Sequence, residues 1–296
     1  MNHKIICFGE TLWDMLPSGK LPGGAPMNVA IHLKYNNYEP LVISSVGIDD
    51  LGAALLQFLK SKQVSTAYVQ VSQTHLTGVV KVNVDNRNEV TYEIVEPVAW
   101  DYIQYEPKAA GLVKDSDVFV YGSLAARSAT TRETLLHYLP LAKLKVFDVN
   151  LRPPHFTPER IQVLLQFADV LKLNHQELQI LSSWVQVTGN EQQKLSYLQK
   201  NFNIPLLILT RGENGAAVLS SEEYLEHPGF KIEVEDTIGS GDAFLATFLS
   251  NYLQAQPLAV CLRQACLIGA YVATCQGATP QYTPQEVVKS FAGSII

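Results

Sequence analysis

The sequence predicts an α/β protein in which an open, mostly parallel β-sheet carries helices on both faces. Six short, nearly continuous apolar runs recur along the chain: KIICFGE, PLVISSVG, DVFVYGSL, KVFDVN, DVLKLN and PLLILTRG. Runs of this kind are typical of parallel strands that are buried on both faces. The segments between them, such as LGAALLQFLKSKQ (51–63) and TRETLLHYLPLAKL (131–144), carry apolar residues at helical spacing. Strands that alternate with helices in this way indicate a layered α/β architecture.

Length and composition limit the classes of protein to which the chain can belong. Its 296 residues could form one large α/β domain or two average ones, and a net charge of −6 without a basic stripe argues against a nucleic-acid partner. The longest nearly apolar run, residues 265–275, is too short to span a bilayer. The N-terminus lacks the apolar core and cleavage site of a signal peptide. We therefore expect a soluble, cytoplasmic protein with neither a membrane nor a nucleic-acid partner.

The cysteines and histidines predict neither a disulfide framework nor a transition-metal site. The four cysteines show no CxxC pair and no zinc-type spacing, which favours buried thiols in a reducing compartment. The seven histidines include no HExxH or HxH pair. Because no repeat, low-complexity tract or linker divides the chain, we expect one main domain over residues 1–296.

One segment departs from the alternation of strands and helices. Residues 77–97, TGVVKVNVDNRNEVTYEIVEP, alternate apolar and polar side chains around a polar DNRN turn. This pattern predicts an antiparallel hairpin. A hairpin among βα units indicates a small β appendage on the main domain, which could serve as a lid or as an interface.

The strand ends predict where a ligand would bind. Small and polar residues close the predicted strands: Gly9 and Glu10, Gly47, Gly122 and Ser123, residues 148–150, Asn174, and residues 210–212. In an open α/β sheet, ligands bind in the crevice at the carboxyl ends of the strands. Any one of these endings could be an ordinary turn, since turns favour the same residue types. Six together favour a site.

The segment DTIGSGDAF (236–244) predicts an anion site at the start of a helix. Gly239 and Gly241 let an anion approach the main chain, and the free amides of a helix N-terminus bind phosphate-sized anions. A carboxylate at Asp242 suits this place if it accepts the proton of a nucleophile that attacks the phosphate. The alternative is a tight glycine turn with Asp242 as a helix cap.

Two common nucleotide motifs are missing from the sequence. No GxxxxGK[ST] P-loop occurs anywhere, and the GxGxxG fingerprint fails because Phe244 stands at its last position. A dehydrogenase, which would bind a dinucleotide, is therefore disfavoured.

The segment PGGAPMNVA (22–30) predicts a site for a polyhydroxylated ligand. Gly23 and Gly24 expose main-chain amides, while Asp14 and Asn28 supply acceptors and donors. Such a ligand needs several fixed partners, since each buried polar group left unpaired costs about 1–3 kcal/mol. The alternative is a proline–glycine turn followed by a capped helix.

The two glycine segments together resemble a known family. DTIGSGDAF is similar to the signature DTxGAGDxF of the ribokinase-like, or PfkB, carbohydrate kinases, with Ser240 in place of alanine. PGGAPMNVA resembles the sugar-binding glycine segment of that family, and the match runs in order from GETLWDMLP (9–17) to GATP (277–280). The resemblance implies a ribokinase-like αβα sandwich whose β lid is formed by about 77–105 and part of 11–22.

The resemblance also implies a reaction, the transfer of the γ-phosphoryl group of ATP to a primary hydroxyl of a sugar. In this scheme Asp242 is the catalytic base, and the amides of Gly239, Ser240 and Gly241 stabilise charge on the transferred group. The sugar-binding residues would include Asp14, Gly23, Gly24 and Asn28.

Further positions are implied by the same resemblance. NHQE (174–177) resembles the NxxE element, in which Asn174 and Glu177 hold magnesium partly through water; the alternative is a capping box at a helix start. TRGENG (210–215) is similar to the nucleotide loop. The implied nucleotide-binding residues are Asn174, Thr210, Gly212, Gly215, Gly239, Gly241 and Cys266.

The choice of sugar rests on weaker similarities. GGAP, without a lysine, favours fructokinases, and NLRPPHF (150–156) resembles the NxRxxLW segment of fructokinases and 2-keto-3-deoxygluconate kinases. Arg152 could bind a substrate hydroxyl, a phosphate or a carboxylate, or it could be a structural ion-pair residue. Tyr92 and Trp100, in TYEIVEPVAWDYI (91–103), would face the sugar or simply pack. We expect a fructokinase; the alternatives are a 2-keto-3-deoxygluconate kinase and a catalytically silent sugar-binding regulator.

Two more expectations concern a cation and the assembly, and the resemblance implies the first. Main-chain carbonyls of Asp236, Ile238 and Gly277 would bind potassium beside the anion loop. For the assembly, the hairpin could be covered by the protomer's own body or by a twofold partner, as in many relatives, and we expect the partner. The β lid would be the interface of a homodimer, since a two-stranded ribbon needs a surface to cover it.

Overall fold

The computed structural model describes residues 3–16, 19–84 and 90–291, without the side chains of 82–84, 90–92 and 290. The DNRN turn predicted at 85–88 thus lies outside the described residues. Within these ranges no helix is both long enough and apolar enough to cross a membrane.

A nine-stranded sheet forms the centre of the molecule, in the order β13-β12-β11-β10-β9-β8-β1-β4-β5. All neighbours from β11 to β5 pair in parallel, while β12 and β13 add an antiparallel edge. The strands of this sheet are β1 (Ile5–Phe8), β4 (Leu41–Gly47), β5 (Val69–Ser72), β8 (Val118–Gly122), β9 (Leu144–Asp148), β10 (Val170–Asn174), β11 (Leu206–Thr210), β12 (Ala216–Leu219) and β13 (Tyr224–His227).

Ten α-helices accompany the strands in the described part of the chain. They are α1 (Ala25–Tyr35), α2 (Asp50–Ser61), α3 (Pro107–Asp115), α4 (Ala129–Tyr138), α5 (Pro158–Leu165), α6 (His175–Trp184), α7 (Glu191–Phe202), α8 (Ser240–Leu253), α9 (Leu258–Ala273) and α10 (Pro284–Ser290). The prediction of a mostly parallel sheet between helical layers is confirmed.

The two faces of the sheet build two separate cores. In β1, Ile6 and Phe8 pack into one core together with residues of α4 and α5. Their neighbours Ile5 and Cys7 pack into the other, which holds α1 and α8. Because successive strand residues point to opposite faces, a strand covered on both sides needs an apolar residue at every position. This need explains the continuous apolar runs in the sequence.

The predicted strands match the structure better than the predicted helix ends. All six apolar runs form strands β1, β4, β8, β9, β10 and β11. The helix expected over 131–144 begins earlier and ends at Tyr138, because Pro140 falls in a short 3₁₀ turn, Leu139–Leu141, that follows it. The antiparallel edge of β12 and β13 was missed.

A second, four-stranded sheet, here called the small sheet, has the order β3-β2-β6-β7. Its strands are β2 (Leu12–Leu16), β3 (Gly19–Gly23), β6 (Gly78–Val84) and β7 (Val90–Ile94). β6 and β7 pair antiparallel from Val80 with Ile94 onward, so the predicted hairpin is confirmed. β2 joins it in parallel, which places the segment containing Asp14 beside the hairpin.

Candidate active site

The N-termini of α1 and α8 face each other across the carboxyl ends of the central strands. The amide nitrogen Nδ2 of Asn28, in the first turn of α1, donates a 2.8 Å hydrogen bond to Oδ2 of Asp242, in the first turn of α8. The two residues are 214 positions apart in the sequence. The structure therefore brings together the predicted sugar segment and the predicted anion loop.

A buried histidine provides a second link between α1 and the anion loop. The Nε2 atom of His32 lies 2.9 Å from the carbonyl oxygen of Ala278, and Nδ1 lies 2.9 Å from the hydroxyl of Tyr282. Burial lowers the pKa of His32 to about 4, so the ring is neutral. Since a carbonyl only accepts, Nε2 carries the proton and Nδ1 accepts from Tyr282. Ala278 in turn touches Gly239 of the loop.

The anion loop needs glycine at its first position. Gly239 has φ of +78°, and a Cβ atom there would collide with the carbonyl oxygen of Ala278. The side chain of Ser240 donates a 2.9 Å hydrogen bond to the carbonyl oxygen of Gly269 in α9. This hydroxyl gives the serine that replaces the family's alanine a structural role.

The start of α8 leaves several main-chain amides free. The helix begins at Ser240, and its first main-chain hydrogen bond runs from the amide of Ala243 to the carbonyl oxygen of Gly239. The amide of Ser240 donates to the carbonyl oxygen of Thr237, at 3.3 Å. Within the described residues the amides of Gly239, Gly241 and Asp242 have no main-chain partner, so the predicted set of amides stays a prediction, to which the structure adds that of Asp242.

Asp242 is partly buried and carries a raised pKa. Burial and the nearby Asp148 raise its pKa to about 6, against the opposing effects of Asn28, Lys172 and Arg152. A carboxylate with pKa of about 6 is still mostly ionised at neutral pH and is a stronger proton acceptor than a solvated one.

Sequence reasoning missed a buried ion pair next to the anion loop, residues 236–244. Nζ of Lys172, in β10, lies 2.9 and 2.8 Å from the two carboxyl oxygens of Asp148, in β9. Both residues are buried. The available signal was a single lysine inside the apolar run DVLKLN, because a charged side chain in a buried strand needs a partner.

The predicted sugar residues lie on β2, at the end of β3 and at the start of α1. A Cβ atom on Gly23 would lie 2.5 Å from Oδ2 of Asp14, and one on Gly24, whose φ is +117°, would lie 2.5 Å from the carbonyl oxygen of Glu10. Burial raises the pKa of Asp14 to about 6, although Arg152 lowers it. The structure thus gathers Asp14, both glycines and Asn28 at one place.

Glu10 is a further carboxyl group that the sequence indicated only as a strand end. Its Oε1 accepts a 3.2 Å hydrogen bond from the amide of Ala25, while Oε2 is buried without a partner among the described residues. Burial raises the pKa of Glu10 to about 7, with Asp242 adding to the rise and Arg152 opposing it. The group therefore titrates near neutral pH.

Arg152 is exposed and makes no ion pair within the described part of the chain. Its one side-chain hydrogen bond, of 3.1 Å, goes to the carbonyl oxygen of Leu151. Its charge nevertheless lowers the pKa values of Glu10, Asp14 and Asp242. The alternative of a structural ion-pair arginine receives no support.

The prediction that Trp100 faces the sugar is corrected. Its ring is fully buried, packs within the core and lies under the guanidinium of Arg127, 3.8 Å from the ring centroid. Arg127 is itself held by Asp101 through two hydrogen bonds of 2.7 Å. Tyr92 lies in β7, and its side chain is outside the described residues.

A cavity of about 740 Å³ adjoins the anion loop. Of the predicted nucleotide-binding residues, all but Gly239 line it, and so does Ser240. Apolar side chains of Phe230, Ile232, Val234 and Phe244 line it as well. Its lining includes Asn174, Thr210, Gly212, Gly215, Ser240, Gly241 and Cys266. A cavity with an apolar part beside a helix N-terminus suits a flat ring attached to a phosphate chain.

Asn174 and Glu177 form the capping box that the sequence left open as an alternative. Oε1 of Glu177 accepts from the amide of Leu151 and Oε2 from the amide of Asn174, both at 2.8 Å, while Oδ1 of Asn174 accepts from the amide of Glu177. Burial raises the pKa of Glu177. Its oxygens keep second lone pairs, so this donor set fits magnesium held through water rather than by direct ligation.

The residues predicted for a potassium site also meet. Oδ1 of Asp236 accepts from the amide of Ile238 at 2.9 Å, and Oδ2 accepts from the amide of Gly277 at 3.1 Å. The carboxylate thereby links the anion loop to the segment around Gly277. Within the described residues no group of three or more His, Cys, Asp or Glu side chains could hold a metal ion, so a cation here would depend on main-chain carbonyls.

Comparisons with known proteins agree with this geometry. The fructokinase of Klebsiella pneumoniae is 29% identical over 304 residues, which cover 94% of this chain and 95% of the relative. The crystal structure of a fructokinase from Xylella fastidiosa with bound ATP has a TM-score of 0.85 at 24% identity and covers 99% of this chain and 100% of that chain. Aminoimidazole riboside kinase from Salmonella enterica, complexed with aminoimidazole riboside and an ATP analogue, gives 0.80 at 25% identity, with 97% and 99% covered.

These likenesses extend over nearly the whole chain. The solved structures confirm the ribokinase-like fold that the sequence predicts. The profile described as pfkB family carbohydrate kinase matches residues 5–285, a range that includes both glycine segments and the NHQE element. The chain belongs to the pfkB family of carbohydrate kinases.

Proposed function

We propose that the protein is an ATP-dependent fructokinase that converts fructose to fructose 6-phosphate. The observation that carries the proposal is the contact of Asn28 with Asp242, since a sugar bound at Asn28 would lie next to a carboxylate at a helix start that suits a phosphate. Relatives named fructokinase, 29% identical in the case of the Klebsiella protein, support fructose as the substrate.

The reaction follows from the positions of the residues. The primary hydroxyl of the sugar, held near Asp14, Asn28 and Asp242, attacks the γ-phosphorus. The new O–P bond forms as the bond between the γ-phosphorus and the β,γ-bridging oxygen breaks, and ADP leaves with that electron pair. Asp242 accepts the hydroxyl proton late, when the oxygen has become acidic. The amides of Gly241 and Asp242 stabilise the charge on the transferred group.

The remaining cofactor assignments belong to the same proposal. We place the adenine and ribose of ATP in the 740 Å³ cavity, with the phosphates directed at the loop. Cys266 stands where some relatives have asparagine, and its buried thiol, whose pKa burial raises to about 12, stays neutral. Magnesium, when bound through water to Asn174 and Glu177, would neutralise phosphate charge. The four cysteines, all free thiols, fit the cytoplasm.

Replacing the base should abolish most activity without unfolding the protein. We expect Asp242→Asn to lower kcat by about 10²–10⁴-fold, the usual contribution of general-base catalysis. Affinity for ATP should hold or increase, since a negative charge beside the γ-phosphate is gone. Steady-state kinetics, ATP titration and thermal melting measure these effects.

The pH dependence of the wild-type enzyme gives an independent check on the same residue. The base works when ionised, so kcat/KM should fall as pH drops through about 6. Asp50→Asn, a substitution in the first turn of α2, serves as the matched control. It should change neither kcat nor the pH at which kcat/KM falls. An Asp242→Asn enzyme that keeps more than about a tenth of kcat would contradict the assignment, because this lies outside the usual range.

The second candidate is 2-keto-3-deoxygluconate kinase, and the exposed, unpaired Arg152 favours it. A free guanidinium close to the sugar site could bind a substrate carboxylate through two hydrogen bonds. We nevertheless expect fructose to have the higher kcat/KM in a panel containing fructose, 2-keto-3-deoxygluconate and aminoimidazole riboside, with ATP and magnesium, scored by ADP release.

The panel separates all the candidates. A keto acid that wins by about tenfold or more, equivalent to some 1.4 kcal/mol, would identify Arg152 as a carboxylate clamp. Sugar binding without any ADP release would instead indicate a silent regulator. The retained Asp242 and loop glycines argue against that outcome.

We also propose a potassium site built from main-chain carbonyls of Asp236, Ile238 and Gly277. The carboxylate of Asp236 already holds these segments together, as described above. Activity should be higher in potassium than in tetramethylammonium salts. Equal rates in potassium, sodium and tetramethylammonium would remove the site.

We propose further that the protein is a homodimer that associates through the small sheet. An exposed apolar side chain, Met15, lies on β2, and twofold dimers are the commonest oligomers. Multi-angle light scattering at micromolar concentration should give twice the chain mass of 32.7 kDa. The mass of a single chain would rule the dimer out.

A further inference from the structure

The phosphate loop of this protein carries a carboxylate where a P-loop carries a lysine, but a lysine reaches it from a neighbouring strand. A Cβ atom built on Gly241 would lie 3.4 Å from Nζ of Lys172 and 3.8 Å from its Cε. The ammonium group therefore lies against the first turn of α8, where the amides of Gly241 and Asp242 are free. In P-loops the lysine contacts the β- and γ-phosphates from an equivalent place beside free amides.

The carboxylate of Asp148 holds the ammonium group of Lys172 in place. Lys172 and Asp148 are direct partners in the parallel pairing of β10 and β9, so their side chains rise from the same face of the sheet. The two hydrogen bonds to the carboxylate use two of the three ammonium protons. Within the described residues no hydrogen bond of the third proton is found, and 9% of the lysine side chain remains exposed.

Stability does not explain this arrangement. A buried ion pair often contributes no more to folding than apolar residues of the same volume. The lysine also lies near the N-terminus of α8, where the helix dipole disfavours a cation. The carboxylates of Asp148, Glu177 and Asp242 favour the charged ammonium already in the unliganded site. An anion bound at the helix start would favour it further.

We propose that Lys172 is a phosphoryl-binding residue of this kinase, held by Asp148 so that its third proton points to a non-bridging oxygen of the transferred group. The proposal rests on the kinase function proposed above. As the O–P bond to the sugar forms and the bond to ADP breaks, the ammonium stabilises the charge on the group in transit. It keeps its own proton, since Asp242 receives that of the hydroxyl.

The test removes the ammonium of Lys172, either alone or together with the carboxylate of Asp148. Lys172→Met should lower kcat by about 10²–10³-fold, the usual effect of losing one preorganised donor. The affinity for ADP with aluminium fluoride and fructose, a mimic of the transferred group, should fall with it, while the affinity for ADP alone should change by less than about threefold. Asp148→Asn, which keeps the ammonium, should lose less activity.

The double variant Lys172→Met/Asp148→Asn separates binding from folding, because it leaves no unpaired charge. We expect it to melt close to wild type and yet to stay as slow as the single Lys172→Met variant. Recovery of more than about a third of wild-type kcat would overturn the proposal, because the lysine would then only neutralise Asp148. Equal weakening of ADP and of the aluminium fluoride complex would overturn it too.

A matched control and a second readout complete the design. Lys145→Met removes another strand lysine, paired with Asp169 at 2.7 Å, and should leave all these quantities unchanged. A wild-type protein that phosphorylates no sugar would refute the proposed function alone. The comparison of wild type and Lys172→Met in binding ADP with aluminium fluoride still decides the role of the lysine, and absence of binding to wild type would count against it.

Discussion

The meeting of two helix N-termini, joined by the hydrogen bond between Asn28 and Asp242, is the constraint on which the rest of the site depends. α1 follows β3 near the start of the chain and α8 lies near its other end, so this contact forms only when the parallel sheet has brought its strand ends to one edge. Gly24 and Gly239 are required here because a side chain at either would strike main-chain oxygen. The two glycine segments of the sequence are thus two halves of one contact.

Burial and the charges around this contact shift the pKa values of the carboxyl groups in the site. Burial raises the pKa values of Glu10, Asp14 and Asp242, which means that the folded protein favours their neutral forms. At neutral pH each of them opposes folding, and this opposition weakens as pH falls through the raised pKa. The cores on both faces of the sheet offset the cost. Such strained ionisation is typical of functional sites.

The sequence predicted the strands and the two glycine segments because their signals are local. A buried parallel strand must be apolar at every position, and a helix start that binds an anion must have glycines next to it in the chain. The pair of Lys172 and Asp148 could not be found this way, since the two lie 24 residues apart and meet only through the register of β9 and β10. The prediction that Trp100 faces the sugar failed for a similar reason. Arg127, whose guanidinium covers the ring, lies on another segment of the chain.

The segment 236–244 combines an expected phosphate site with the carboxylate of Asp242, and the fold shows how a cation can lie beside both. A loop that carries both the base and the counter-cation would bring Asp and Lys into contact, and each would neutralise the other. In the proposed site Asp242 faces the sugar, while β10 places Lys172 beside Gly241, where Asp148 binds it. Asp148 raises the pKa of Asp242 and Lys172 lowers it, so the two members of the ion pair act on this carboxyl group in opposite directions. The absence of a side chain at Gly241 allows the cation to come this close.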